Sequence, residues 1–398
     1  MLIDCKITYN SRKIRTFACK ISPIAPQMEI NSRYNYNDLT MKLLLLNLVL
    51  QALIVGDHVI EFTHLLFIRL GGVDNAENQL IEGTIGVSRF ICWTLPAVYF
   101  ALSGWLFFKG FDEAGSWLAK IKRRGRSLLV PYLIWNLLAS PWLTAVLIPL
   151  VAIVAPSLGT PRPMTAMECF WGTEPMYFPA NAPLWFVRDL MILVLFAPLI
   201  WQAVRSRYAP LWLAATALWW SYEFSCGIGF WECMSQGLFG FSLGAWWRAR
   251  GQNAVDFGPK ALAGAVATLC CAVACCSVWS DNTALYSLWQ GPKAVAMCVM
   301  LAAFAVVLAK KAPWLAFWGE GAIFLYMSHM IGLNQVAEAV MVATGWPMLA
   351  VCAASYVAVL TLWLGIWAAL RRFAPRMLNV LTGGRVRSRC VPQVRRAD

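Results

Sequence analysis

The chain has 398 residues, of which 60% are hydrophobic and only 13% charged, and its mean hydropathy is +0.59. A soluble domain carries about 25% charged residues, so the composition excludes an ordinary soluble protein and points to an integral membrane protein. The net charge of +13 is scattered in short groups between apolar runs, which excludes nucleic acid as its partner and makes membrane lipids the expected one.

Residues 1–40 hold no apolar run and no short hydrophobic core with a cleavage site, so they read as a polar tail and not as a signal peptide, with Met28 and Met41 as alternative starts. Runs of roughly 20 apolar residues, the length that crosses about 30 Å of hydrocarbon, follow at 41–61, 87–108, 127–154, 183–203, 209–224, 229–247, 260–280, 291–309, 314–333 and 346–370. The expected fold is therefore all-α, a polytopic membrane bundle of about ten transmembrane helices over 41–372, closed by a basic tail at 373–398.

With the amino terminus inside, the inner loops hold Lys109, the run Lys120 to Arg126, Arg205, Arg207, Arg248, Arg250, Lys260, Lys310 and Lys311. The outer loops hold only Arg69, Arg162 and Lys293. The positive-inside rule then places both termini in the cytoplasm. The two long outer segments are about 62–86 and 155–182, and the second, rich in proline and aromatic residues, is expected to form an ordered cap. The paired cysteines Cys270, Cys271, Cys275 and Cys276 lie in one apolar span without histidines, so no metal site is expected.

The first span ends on VGDHVIEF, residues 55–62, with three ionisable side chains in five residues. At about 100° per residue, and with Asn47 as zero, Gln51 falls near 40°, His58 near 20° and Glu61 near −40°. Four polar residues thus share one face, with Asp57 at its edge. Ionisable side chains within a membrane are costly and mark function with a partner to be found. Glu61 or Asp57 would hold the tautomer of His58, as a general base requires. His58 also lies about 24 Å along the helix from Lys42, close to the expected outer surface, where solvated headgroup residues are the competing reading. Arg89, Arg188, Asp189, Glu223, Glu232 and His329 are expected at the same outer depth, as the polar lining of a cavity that takes an anion or pairs a carboxylate. On the inner side, Arg123, Arg124 and Arg126 suit either headgroups or the phosphates of a cytoplasmic donor.

Four segments in order resemble the acyltransferase 3 family of polytopic membrane acyltransferases. They are PAVYFALSGWLF at 96–107, RRGRSLLVPYLIW at 123–135, PLWFVRDL at 183–190 and FLYMSH at 324–329. The resemblance implies an O-acyltransferase that moves an acyl group, commonly acetyl, from cytoplasmic acyl-CoA to a hydroxyl of a glycan, lipid-linked sugar or other metabolite. Acyl-CoA is then a co-substrate, no cofactor is bound, and the enzyme works in the bacterial inner membrane. The family carries an Arg before its essential first-helix His; here His58 matches, but Asn47 stands in the place of the Arg, as a polar partner without its charge. The implied roles are His58 as base, Glu61 or Asp57 as its orienting acid, and Arg188 or Arg89 beside Asn47, Asp189 and His329 at the acceptor. Arg123, Arg124 and Arg126 would hold the CoA phosphates. A transporter or flippase of an envelope precursor is the competing function, and it requires a polar inner half that the sequence supplies sparsely.

Overall fold

The computed structural model describes residues 36–69, 75–112, 116–140, 164–173, 177–227, 229–278 and 283–385, and among them every regular element is a helix. Helix α1, Asp38–Arg69, begins where the Asn37 side chain accepts the Thr40 amide at 2.8 Å, an N-cap that satisfies one of the free first-turn donors. It then runs unbroken for 32 residues. The stretch around His58 is therefore not a helix end, because α1 continues two turns past Glu61. The segment expected as an outer loop at 62–86 is largely helical too, since α2, Asn75–Cys92, follows.

Helix α3, Leu95–Phe107, is split from α2 at Trp93 and Thr94, because Pro96 lacks the N–H that would continue the ladder. Next come α4, Ser116–Arg124, a π-helical turn at Gly125–Leu129 and α5, Val130–Ala139. The rest of the expected third span and part of the expected cap, residues 155–163 and 174–176, lie outside the described residues. What is described of the cap includes the short helix α6, Ala166–Phe170, closed by a reciprocal capping box between Thr165 and Glu168. Helices α7, Trp185–Leu195, and α8, Ala197–Arg205, meet at a 70° bend at Phe196, just ahead of Pro198.

Helix α9, Ala209–Cys226, leads to α10, Phe230–Ala249, most of whose residues are buried. α10 lies against α3 with backbones nearly touching. A Cβ on Gly244 would overlap the Ala101 carbonyl, one on Gly240 that of Ala97, and one on Gly104 that of Phe241. Small residues permit this approach in a bilayer, where packing rather than hydrophobic exclusion holds helices together. Helices α11, Pro259–Val278, α12, Thr283–Ser287, and α13, Gln290–Lys311, follow.

The expected ninth span, 314–333, is not one helix. It breaks into α14, Ala316–Gly319, and α15, Ala322–Ser328, and Gly332 (φ +79°) turns the chain into α16, Leu333–Thr344. Helices α17, Met348–Phe373, and α18, Pro375–Leu381, end the described chain. The expected basic tail thus opens on a docked helix: Leu378 is fully buried and Trp135 donates its indole N–H to the Leu381 carbonyl at 2.9 Å.

Among the described residues five stretches are long and apolar enough to cross a membrane, and six if the bent α7–α8 pair is one span. They are Asp38–Ile68, Leu80–Phe107, Pro259–Cys276, Leu285–Lys311 and Met348–Phe373. α9 and α10 coincide with expected spans but do not reach that apolarity. In α10 the polar residues Glu232, Ser235, Gln236 and Ser242 are instead buried against neighbouring helices.

Candidate active site

α1 sets the geometry. Gln51 is fully buried, and its amide Nε2 lies 3.5 Å from Nδ1 of His329, at the end of α15. The His58 ring stacks on that of His329 with centroids 5.4 Å apart and planes 17° from parallel. Two histidines 271 positions apart in sequence, each expected as a site residue, thus form one pair.

The His329 tautomer follows from its surroundings. Nδ1 faces the carbonyls of Leu325 at 3.0 Å and Tyr326 at 2.9 Å, two acceptors that only an N–H can satisfy. The lone pair therefore belongs to Nε2, which is buried without a hydrogen-bond partner among the described residues, as is Nδ1 of His58. Buried polar atoms normally find partners, so two such nitrogens side by side ask for one.

The flanking acids are otherwise engaged. Asp57 accepts the Ser88 hydroxyl at 2.6 Å, and Glu61 pairs with the Arg89 guanidinium at 3.0 Å. Asp57, His58 and Glu61 have potential ligand atoms within 4.8 Å of one another, and the α2 contacts engage one oxygen of each carboxylate. Both acids thus stay beside His58, while their hydrogen bonds among the described residues go to Ser88 and Arg89, and His58 itself stacks on the other imidazole.

Below this pair, toward the start of α1, opens a cavity of about 310 Å³. Its inner wall includes Asn47, Tyr99, Phe186, Tyr326 and Met327, and its mouth is formed by Thr40, Arg124, Glu320 and Arg385. Tyr99 links floor to histidines, since its hydroxyl lies 3.3 Å from both the Asn47 carbonyl and Gln51 Oε1. Along α1 the step from Asn47 to His58 is about 16 Å, and Tyr99, Gln51 and His329 lie along it, with Gln51 Nε2 and the His329 Nδ1–H in proximity as two donors and not as a hydrogen bond.

The mouth is electropositive. Glu320 is neutralised by Arg371 and accepts the Tyr36 hydroxyl at 2.5 Å, whereas among the described residues no carboxylate pairs with Arg124 or Arg385. Burial, then the neighbouring Arg123, lowers the pKa of Arg124. Burial, then Arg124, lowers that of Arg385 to about 10, although its surface is wetted by the cavity it lines. Both remain cations at neutral pH, and their mutual repulsion favours an anion between them.

A family model described as an acyltransferase domain matches residues 50–369, most of the chain. The chain belongs to the acyltransferase 3 family. It is a multi-pass membrane protein of that family of O-acyltransferases. It is also similar, at 31% identity over 164 residues, to the succinoglycan biosynthesis protein ExoH of Rhizobium meliloti (strain 1021). That match covers 38% of this chain and 40% of the relative, so the chain spans less than half of the curated protein it matches. No solved structure matches the chain.

The other expected residues divide. Arg188 and Asp189 of α7 are 3% and 0% exposed and pair with each other at 2.7 Å. Arg188 Nη1 also donates to the carbonyls of Trp171, at 2.8 Å, and Tyr177, and the guanidinium lies over the Trp171 and Phe230 rings. They pin the cap segment to α7 and do not line the cavity, whereas their neighbours Phe186 and Val187 do. The basic trio splits as well: Arg124 faces the cavity, but Arg123 and Arg126 face a different one. Consecutive helical residues point about 100° apart, which puts Arg124 on a different face from Arg123 and Arg126. Tyr99, Ser88 and Arg385 were missed. Tyr99 lies inside the 96–107 motif but looks like any interfacial aromatic, Ser88 is a lone hydroxyl, and Arg385 falls in a tail that reads as solvated.

Proposed function

We propose that this acyltransferase 3 protein transfers an acyl group, acetyl in the first instance, from acyl-CoA to a hydroxyl of an envelope glycan or related metabolite. The observation that carries the reading is the stacked His58–His329 pair, with one buried nitrogen on each ring that has no hydrogen-bond partner among the described residues. The electropositive cavity below it suits the pyrophosphate of CoA, held between Arg124 and Arg385 by charge-assisted hydrogen bonds. The apolar wall at Phe186, Val187 and Met327 suits the pantetheine arm. The name of the relative, a succinoglycan biosynthesis protein, favours a glycan acceptor.

In this reading the acceptor hydroxyl attacks the thioester carbonyl while His58 removes its proton, and His329 shares the resulting positive charge. The tetrahedral intermediate then expels the CoA thiolate, which takes the proton from the imidazole, leaving an ester and free CoA. About ten spans, cytoplasmic termini and a bacterial inner-membrane location complete the proposal, because they put the Arg124 mouth on the side where acyl-CoA is made.

Mass spectrometry of envelope glycans and lipids from cells with and without the gene tests the reading. The expected result is an acyl mass increment, such as acetyl, that depends on the gene and on His58. An unchanged set of masses, together with purified protein that neither binds nor turns over acyl-CoA, would refute it and favour transport.

A further inference from the structure

Beside α5 lies a second cavity of about 530 Å³ that the acyl-transfer reading leaves unused. Lys122, Arg123 and Arg126 line it on one side and the Gly383–Gly384 turn on the other, with no acidic residue among the described residues of its wall. The turn is built for that place. Both glycines have positive φ, and a Cβ on Gly383 would overlap the Ser127 carbonyl. One residue further, Arg385 belongs to the donor cavity. The 383–385 turn is thus a partition with a basic chamber on each face.

What continues from the second chamber is apolar. Val130 lines it and is itself exposed, and Leu133 and Leu137 extend the same exposed stripe along α5 at helical spacing. Met377 and Val380 expose a further apolar strip on α18. In a bilayer such a stripe meets acyl chains, and the chamber at its end marks headgroup depth. Cations scattered for orientation need only be solvated, whereas these three converge on a recess.

We propose that this chamber is a binding site for one anionic phospholipid, its phosphate held by Lys122, Arg123 and Arg126 and its acyl chains laid along Val130, Leu133 and Leu137. Guanidinium forks match phosphate oxygens in pairs, and the net negative headgroup selects such a lipid over a zwitterionic one carrying the same phosphodiester.

The test is native mass spectrometry of the full chain released from phosphatidylcholine nanodiscs that contain phosphatidylglycerol as the minor component. Phosphatidylglycerol is expected to be retained in preference to phosphatidylcholine. R123Q/R126Q is expected to weaken that retention about 20- to 30-fold, at about 1 kcal/mol per juxtamembrane cation. R123K/R126K should keep most of it, and K310Q/K311Q, a basic pair at the end of α13, should keep all of it. Should the double variant fail to fold, R126Q alone is expected to show a loss of about fivefold. Equal retention by a folded R123Q/R126Q variant, or equal retention of the two lipids by the parental protein, would overturn the proposal. So would displacement of phosphatidylglycerol by CoA alone, which would give the chamber to a donor phosphate. None of these readouts depends on acyl transfer.

Discussion

Replacing His58 by Gln removes the base while keeping a polar side chain of similar reach. A positioned general base contributes 10²–10⁴-fold, or about 2.7–5.4 kcal/mol of barrier, and kcat should fall by that factor. The KM for acyl-CoA should stay within about threefold, because His58 lies about 16 Å along α1 from the level of Asn47 and does not line the donor cavity. Folding should survive, since the ring is lost from a stacked pair worth about 0.5–1.5 kcal/mol beyond its burial. The assay is thiol release from acetyl-CoA by the full chain in nanodiscs, with an envelope glycan extract as acceptor. If the two imidazoles act as a unit, a His58→Gln, His329→Gln double variant is no slower than the worse single one. A folded His58→Gln protein with parental kcat, or one whose whole defect is a KM raised more than tenfold, would refute the assignment.

Arg124→Gln and Arg385→Gln should each raise the KM for acyl-CoA about 10-fold or more, as loss of a hydrogen bond to a charged group worth about 1.5–3 kcal/mol implies, with kcat nearly unchanged. Steady-state kinetics at two salt concentrations checks both. Gly244→Ala should prevent stable folding, because its methyl meets backbone and not a movable side chain; overpacking of this kind costs about 1–3 kcal/mol. Gly264→Ala, in open space on α11, is the matched control, and thermal melting in detergent compares them. Asp189→Asn should lower the melting temperature sharply, since breaking a buried ion pair costs about 3–5 kcal/mol. If Asp189 instead served the acceptor, the variant would melt like the parent and lose activity.

Much of this site was legible in one dimension. The period of α1 put Asn47, Gln51 and His58 on one face, and those residues do lead from the cavity to the histidine pair. His329 was expected at the same level as His58, but nothing in the sequence said that its ring would meet that of His58, since that depends on how α15 packs on α1. For the same reason the fates of Asp57 and Glu61 stayed hidden: Ser88 and Arg89 become their partners only when α2 folds back beside α1. Arg188 looked functional because buried charge is rare, yet it is the cap that uses it. The ninth span looked continuous because apolarity does not register the glycines that break it, while the split of Arg123 from Arg124 was open to helical rotation from the start.

The histidine pair joins two supports of unequal stiffness. His58 rides on a 32-residue rod without a break, so its separation from Asn47 is fixed by the helical rise alone. His329 rides on a seven-residue helix with a discontinuity at each end. Any cycle that changes the 5.4 Å spacing of the rings must therefore be made by α15, with α1 as the anvil. Deleting a single residue between 48 and 57 would carry His58 about 100° around that rod and out of register with its partner.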